Sequence, residues 1–262
     1  MEILVCVRRV PDTSENEIEL NAEENDIERD ELVYSVNEPD NYAVEEALEI
    51  RDRVGGSVTV VTVGDEEDEE VLRRELAMGA NRAVLLSDDT LRGSDGRGVA
   101  NVLKTFVQQG HYDLILTGVQ ADDGAAQVGG MLAAMLDYPF ASLVTSISTQ
   151  NGRLQVSREI EGGNREINEI ELPCVLSIQT GINEPRYVGM RGILQVASVP
   201  IPTLGAADLG IDPAAVGEAA AKVKRIDYFV PPRGKGAEML HGSRKENAEK
   251  VLELVCAKGG LK

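Results

Sequence analysis

Short apolar runs alternate with helical segments over the first half of the chain, and this alternation limits the possible folds most strongly. The runs lie at residues 3–7, 57–64, 83–86 and 114–119, and the helical segments between them lie near 42–50, 68–78 and 99–107. Continuous apolar runs of this length are typical of strands that are buried on both faces. Strands that alternate with helices predict an α/β fold with a doubly wound, mostly parallel sheet.

The second half of the chain has a different pattern. Residues 142–147, 154–160 and 164–172 alternate between polar and apolar side chains, with glycine-containing turns between them. This alternation predicts antiparallel hairpins, which would extend the parallel sheet after a buried strand at 173–178 returns to it. We therefore predict a main domain at residues 1–205. Residues 206–262 would form an extended arm with an amphipathic C-terminal helix at 243–257, either reaching a partner subunit or packing on its own domain.

Composition excludes several classes of function. The formal net charge is −19, and no basic patch is present, which argues against nucleic acid and against anionic membrane surfaces as partners. The three cysteines are widely separated, and the two histidines have no paired spacing, so we expect free thiols in a reducing compartment and no metal site. No long apolar span or nucleophile–base pair is evident, which predicts a cytoplasmic protein without catalytic residues of its own.

The segment around residues 114–136 is the best indication of a ligand. It is a predicted strand, a loop of small and polar residues, and a predicted helix. In a parallel sheet such a helix begins at the carboxyl edge, where its free backbone N–H groups suit a phosphate. We expect the loops after Val7, Val36, Val63 and Gly118 to meet at that edge, where ligands of α/β sheets bind. An ordinary strand–helix turn that binds nothing remains the alternative.

Several motifs in order resemble the β subunit of electron transfer flavoproteins. They occupy residues 7–13, 37–47, 76–83, 118–129, 158–163, 172–173 and 183–187. The resemblance implies an adenine-nucleotide hydrolase-like fold. It also implies a heterodimer with an α subunit, on which the redox-active FAD mainly sits. It implies AMP, or a second FAD in electron-bifurcating members, bound to this subunit. Electrons would pass from acyl-CoA dehydrogenases or similar flavoenzymes to a quinone reductase or another acceptor, without insertion of this chain into the membrane.

The resemblance also implies particular site residues. The nucleotide site would comprise Cys6, Asn37, Glu38, Pro39, Asp40, Val63, Gly118, Val119, Gln120, Ala121, Asp122, Asp123, Gly124, Ala125, Ala126, Gln127 and Val128. Docking of donor dehydrogenases would use Tyr187, Val188, Gly189, Met190 and Arg191. In this scheme Met190 is an exposed anchor, and a contact in the core is the alternative for it.

Two details of the site remain open at the level of sequence. The nucleotide loop is one residue shorter than the common family pattern. Asp122 and Asp123 would repel a phosphate, so we expect them to meet ligand hydroxyls or to cap the helix. Two other functions also remain open, namely an electron-bifurcating subunit with its own FAD and a nucleotide-binding regulatory protein without flavin.

Overall fold

The computed structural model describes residues 1–121, 124–150, 153–232, 234 and 236–260. The strands are β1 (Glu2–Cys6), β2 (Arg9–Pro11), β3 (Tyr34–Val36), β4 (Ser57–Val63), β5 (Arg82–Leu86), β6 (Leu114–Gly118), β7 (Phe140–Gln150), β8 (Arg153–Ile160), β9 (Asn164–Ile170), β10 (Cys174–Ile178) and β11 (Thr203–Leu204). The α-helices are α1 (Glu38–Val54), α2 (Glu69–Met78), α3 (Gly96–Gln109), α4 (Val128–Leu136), α5 (Met190–Val196), α6 (Ala206–Leu209), α7 (Gly217–Ala220) and α8 (Arg244–Ala257).

The main sheet has the predicted α/β topology. Among the described residues it contains nine strands, in the order β11-β5-β4-β1-β6-β10-β7-β8-β9. All neighbouring pairs from β11 to β7 are parallel, whereas β7, β8 and β9 pair antiparallel as the predicted extension. The chain builds outward from β1 through β4 to β5 and then crosses back to β6. The strand order therefore reverses between β1 and β6, which is the position where such sheets bind ligands.

Helices cover both faces of this sheet. Helices α1 and α2 pack on one face through residues such as Ala47, Leu48 and Leu72. Helices α3 and α4 pack on the other face, where Leu103 and Leu132 belong to a second buried cluster. Because the central strands contact both layers, their side chains are buried on both faces, and this explains their continuous apolar sequences.

Two local features differ from the sequence prediction. Val36 ends a strand, but β3 pairs antiparallel with β2 in a separate two-stranded sheet and takes no part in the parallel one. Helix α1 is also buried on more sides than its apolar stripe indicates. Ile50, which lies off that stripe, is fully buried, and Glu45 and Glu46 are only 4% exposed where the sequence favoured the solvated first turns of a helix.

The described chain separates into two compact units. The first contains residues 1–19 and 28–226, and the second contains residues 20–27 and 227–262. The first unit thus extends beyond residue 205, because Ala206, Leu209 and Val216 join the cluster under α3. In the second unit, the predicted C-terminal helix is present as α8, with Ser243 as its N-cap. No helix in the described part of the chain is long and apolar enough to cross a membrane.

Candidate functional site

Asp40 forms hydrogen bonds with both the loop after β1 and the end of β6. It lies in the first turn of α1, and its carboxylate accepts the backbone N–H of Arg8 at 2.9 Å and that of Gly118 at 2.8 Å. Gly118 leaves room for this contact, because a Cβ atom there would lie 2.3 Å from Asp40 Oδ1. These bonds fix the start of α1 at the topological switch point of the sheet.

The environment of Asp40 changes its acidity. Burial raises the pKa of the carboxyl from 3.8 to about 7, and hydrogen bonds from Asn37, Gly118 and Arg8 oppose this rise. Gly118 ends β6 and Arg8 lies between β1 and β2, and both backbone donors favour the charged form of the carboxylate. Asp40 therefore supports the carboxyl edge of β1 and β6, which is the predicted nucleotide crevice.

Asn37 contributes a polar atom that has no partner. Its Nδ2 donates to the carbonyl of Gln120 at 3.0 Å, and its backbone N–H donates to the carbonyl of Arg8 at 2.8 Å. The residue is 1% exposed, and its Oδ1 has no hydrogen-bond partner among the described residues. A buried acceptor of this kind is costly unless a ligand or a water donates to it. The crevice is thus suited to a ligand that has a hydroxyl or amino donor.

The loop before α4 presents its backbone to the same edge. The Gly124 N–H closes a turn onto the Ala121 carbonyl at 2.9 Å, and Ala125 and Ala126 are exposed. Ala126 adopts a φ of +54°, which is uncommon for a residue other than glycine. Gln127, the N-cap of α4, makes no capping hydrogen bond with its side chain. The first N–H groups of α4 are therefore suited to an anion.

Helix α4 also approaches the sheet closely. Thr117 and Ser177 share a buried hydrogen bond of 2.9 Å, and a Cβ atom at Gly129 would lie 2.4 Å from the hydroxyl oxygen of Ser177. This close approach directs the helix N-terminus, which begins at Val128, toward the carboxyl ends of β6 and β10. Asp122 and Asp123 lie outside the described residues.

The remaining predicted nucleotide residues line the same edge. Cys6 ends β1 and Val63 ends β4, while Glu38 and Pro39 lie in the first turn of α1, and Val119 directly follows β6. Burial, followed by the charge of Asp40, raises the pKa of the Cys6 thiol far above its ordinary value. Cys6 is thus a protonated, unreactive side chain, which fits a contribution from its backbone alone.

The predicted docking segment is a separate surface. Tyr187 is 94% exposed and Met190 is 71% exposed, so the alternative of a core contact for Met190 is wrong. Val188 is half-buried and packs against the core, Gly189 is the N-cap of α5, and Arg191 is exposed.

Leu194, which the sequence analysis did not include, is 69% exposed and lies one helical turn after Met190. The i, i+4 spacing of Met190 and Leu194 was the signal that could have revealed this apolar stripe.

The fold is that of a doubly wound α/β protein, and the predicted nucleotide residues lie at its topological switch point. A family model described as electron transfer flavoprotein domain matches residues 25–209, which is more than half of the chain. The chain belongs to the electron transfer flavoprotein family.

Individual relatives match this chain over nearly their whole length. The chain is 35% identical over 260 residues to the electron transfer flavoprotein subunit beta of Methylophilus methylotrophus, covering 97% of this chain and 98% of the relative. It is 34% identical over 257 residues to the subunit of the same name from Bacillus subtilis, covering 97% of each. It is 36% identical over 246 residues to the caffeyl-CoA reductase-Etf complex subunit CarD of Acetobacterium woodii, covering 93% of each. The predicted family, the β subunit, is confirmed, and with it a role in flavin-linked electron transport.

Proposed function

We propose that this chain is the β subunit of a heterodimer, in which it binds AMP structurally and helps to hold an FAD-bearing α subunit. The heterodimer would carry electrons from acyl-CoA dehydrogenases or similar flavoenzymes to a quinone reductase or another acceptor. The observation that carries the nucleotide assignment is the buried, unpartnered Oδ1 of Asn37 beside the carboxyl ends of β1 and β6.

The chain's own residues would bind the nucleotide mainly through its backbone. Amides between Gly124 and Val128 would meet the phosphate, where the positive end of α4 adds a favourable charge interaction. Asn37 Oδ1 would accept a hydrogen bond from the sugar or the base. The ends of β1 and β4, at Cys6 and Val63, would enclose the adenine. FAD supplies the electron transfer chemistry when it is bound, so the task of this chain is to hold its partners at the correct distance and orientation.

The alternative to AMP in this crevice is a second FAD. Two relatives carry the names of CoA reductase subunits, namely CarD and the acryloyl-CoA reductase electron transfer subunit gamma of Anaerotignum propionicum. Extraction and chromatography of the cofactors from the purified heterodimer would separate the possibilities. One AMP and one FAD support the carrier proposed here, whereas two FAD and no AMP support the bifurcating alternative. A homodimer without flavin would support the regulatory alternative and overturn the proposal.

A small substitution in the loop tests the phosphate contact. In Gly124→Ala the added Cβ meets Ala121 at 3.4–3.5 Å, which is ordinary contact, so we expect the fold to tolerate it. The methyl group would nevertheless obstruct close approach of a phosphate to the loop backbone. We expect the AMP content of the purified heterodimer to fall by about tenfold, the loss of one hydrogen bond to a charged group. Unchanged AMP content would contradict the assignment of this loop.

A charge placed on the docking stripe tests the second surface. Met190 is exposed, so Met190→Glu should leave folding and heterodimer assembly intact. If Met190 fits an apolar pocket of the donor, a buried carboxylate there should raise the KM for a reduced acyl-CoA dehydrogenase by at least about tenfold. The matched control is Ile167→Glu, at an isoleucine on β9 that is 68% exposed and belongs to neither predicted site. Equal KM values for the Met190→Glu variant and the wild type would remove the docking role.

A further inference from the structure

Helix α5 is held in place without a buried residue. None of its seven residues is buried, and Met190 and Leu194 point outward. A helix this short is unstable on its own, so tertiary contacts must fix it. One contact is the close approach to α2, where a Cβ atom at Gly192 would lie 3.6 Å from the Ala77 carbonyl oxygen. This contact permits close packing but does not set the direction of the helix.

Arg73 on α2 binds the C-terminal end of α5. Its Nη1 donates to the carbonyls of Val196 and Ala197, both at 2.9 Å, and lies 3.3 Å from that of Val199. Val196 and Ala197 lie at the C-terminal end of α5, where the helix carbonyls point outward and a cation is favourable beside them. Glu69, one turn earlier on α2, accepts hydrogen bonds from Nε and Nη2 of the same guanidinium. The guanidinium is therefore fixed in its orientation by Glu69.

Arg186 fixes the other end of the segment. Its guanidinium donates to Glu45 on α1 from Nε at 2.9 Å and from Nη2 at 2.8 Å, and its backbone N–H donates to the same carboxylate at 3.0 Å. Asn183 donates to the Tyr42 carbonyl at 3.1 Å. Glu45 is 4% exposed, so this pairing is shielded from solvent on the carboxylate side. The docking stripe thus begins at a fixed point, directly before Tyr187.

We propose that Arg73 and Arg186 are positioning residues that hold the docking stripe of Tyr187, Met190 and Leu194 in a preformed conformation for the electron donor. The inference rests on the docking role proposed above. A preformed surface binds a partner at a lower cost in conformational entropy than a segment that must become ordered on contact. Arg73 has the larger role for α5 itself, because it contacts the helix end directly.

The test uses the complete heterodimer with the variants Arg73→Met and Arg73→Lys. Methionine retains the apolar stem and removes all donors, whereas lysine retains a charge that can reach the carbonyls but cannot form the fork with Glu69. We expect Arg73→Met to increase the amide hydrogen exchange rate of residues 190–197 by about tenfold or more, the value for a lost charge-assisted hydrogen bond. Arg73→Lys should restore part of the protection.

Kinetics with a purified acyl-CoA dehydrogenase, kept reduced by its acyl-CoA substrate, gives the functional readout. Arg73→Met should raise the KM for the dehydrogenase by about tenfold and leave kcat and AMP content unchanged, since only ordering of the segment is lost. Arg92→Met is the control, because Arg92 likewise forms ion pairs with nearby carboxylates, those of Asp65 and Asp89, but lies away from α5.

Two outcomes would overturn the inference in distinguishable ways. Unchanged hydrogen exchange in Arg73→Met would show that Arg73 does not order α5, even if Met190→Glu weakens docking. Faster exchange with an unchanged KM in both Arg73→Met and Met190→Glu would show that the segment does not dock the donor, and the proposed docking role would fail with it.

Discussion

Replacement of Gly118 by alanine is expected to destabilise the protein by about 2–3 kcal/mol, the upper part of the typical range for overpacking, and to remove the bound nucleotide. A Cβ atom at this position would lie 2.3 Å from Asp40 Oδ1, and 2.8 Å from both the Asp40 backbone nitrogen and the Pro39 Cβ. All three atoms belong to Pro39 and Asp40 in the first turn of α1, which cannot move without breaking the hydrogen bonds from Arg8 and Gly118 to Asp40. The start of α1 would therefore shift away from β6.

Gly130→Ala is the control for this substitution. At Gly130 an added Cβ meets only the ring of Phe140, at 3.5 Å, and alanine favours the helix in which it lies. We expect this variant to be as stable as the wild type or slightly more stable. Urea unfolding of each purified heterodimer, with AMP determined in the same samples, gives both readouts. Wild-type stability and AMP content in Gly118→Ala would show that the contact between α1 and β6 does not support the crevice.

Gly118, at the end of β6, and Gly124, in the loop that follows, require glycine for two different reasons. At Gly118 the chain itself occupies the space that a side chain would need. At Gly124 the added Cβ would make ordinary contact with Ala121, at 3.4–3.5 Å, so the described chain accommodates it and the competition would come from a ligand. We therefore expect Gly118→Ala to lose stability and nucleotide together, and Gly124→Ala to lose nucleotide alone.

The sequence predicted the parallel strands because burial on both faces requires continuous apolar runs, as in residues 57–63 and 114–118. It also predicted which loops meet, since the carboxyl ends of parallel strands share one edge. The strand that ends at Val36 belongs to a different sheet from the predicted one, but it also ends close to that edge. The next residue, Asn37, donates its backbone N–H to the carbonyl of Arg8. Periodicity was sufficient for the strands because it is a property of short stretches of sequence, and the meeting of the loops then follows from the parallel arrangement.

The buried acids were not predictable in the same way. Glu45 lies on a helix that is rich in acidic residues, so its sequence context is that of a solvated or dipole-stabilising residue. Its partner Arg186 is 141 residues away, and no local pattern connects the two. The same is true of Arg73 and the carbonyl of Val196, which are separated by 123 residues. Pairs that are this far apart in the sequence form only because α5 and the loop before it pack against α1 and α2 in the folded protein.

Glu75 is the buried acid with the largest expected effect on stability. It lies on α2, is fully buried, and neither of its carboxylate oxygens has a hydrogen-bond partner among the described residues. Burial raises the pKa of Glu75; with the opposing charge of Arg74 and the smaller raising effects of Asp40 and Glu45, the pKa goes from 4.5 to about 8. Near neutral pH the side chain is therefore mostly protonated in the folded protein.

The raised pKa makes stability depend on pH. Since the folded pKa of Glu75 exceeds its unfolded value, its contribution is complete below about pH 4.5 and is lost as pH rises toward 8. At 1.36 kcal/mol per pKa unit, the loss between about pH 5.5 and about pH 8.5 is on the order of 3 kcal/mol. Asp40, whose pKa is raised to about 7, adds a loss of the same sign.

Glu75→Gln isolates the contribution of Glu75, because glutamine resembles the protonated carboxyl in shape and does not ionise. We expect the variant heterodimer to unfold at a higher urea concentration than the wild type at about pH 8.5, and this difference in stability should be smaller by about 3 kcal/mol at about pH 5.5. Both proteins should keep the smaller pH dependence that Asp40 causes. Glu23→Gln, at an exposed glutamate, should leave the pH dependence of the wild type unchanged. A Glu75→Gln variant with the full wild-type pH dependence would mean that Glu75 is already charged in the folded protein, with a compensating partner.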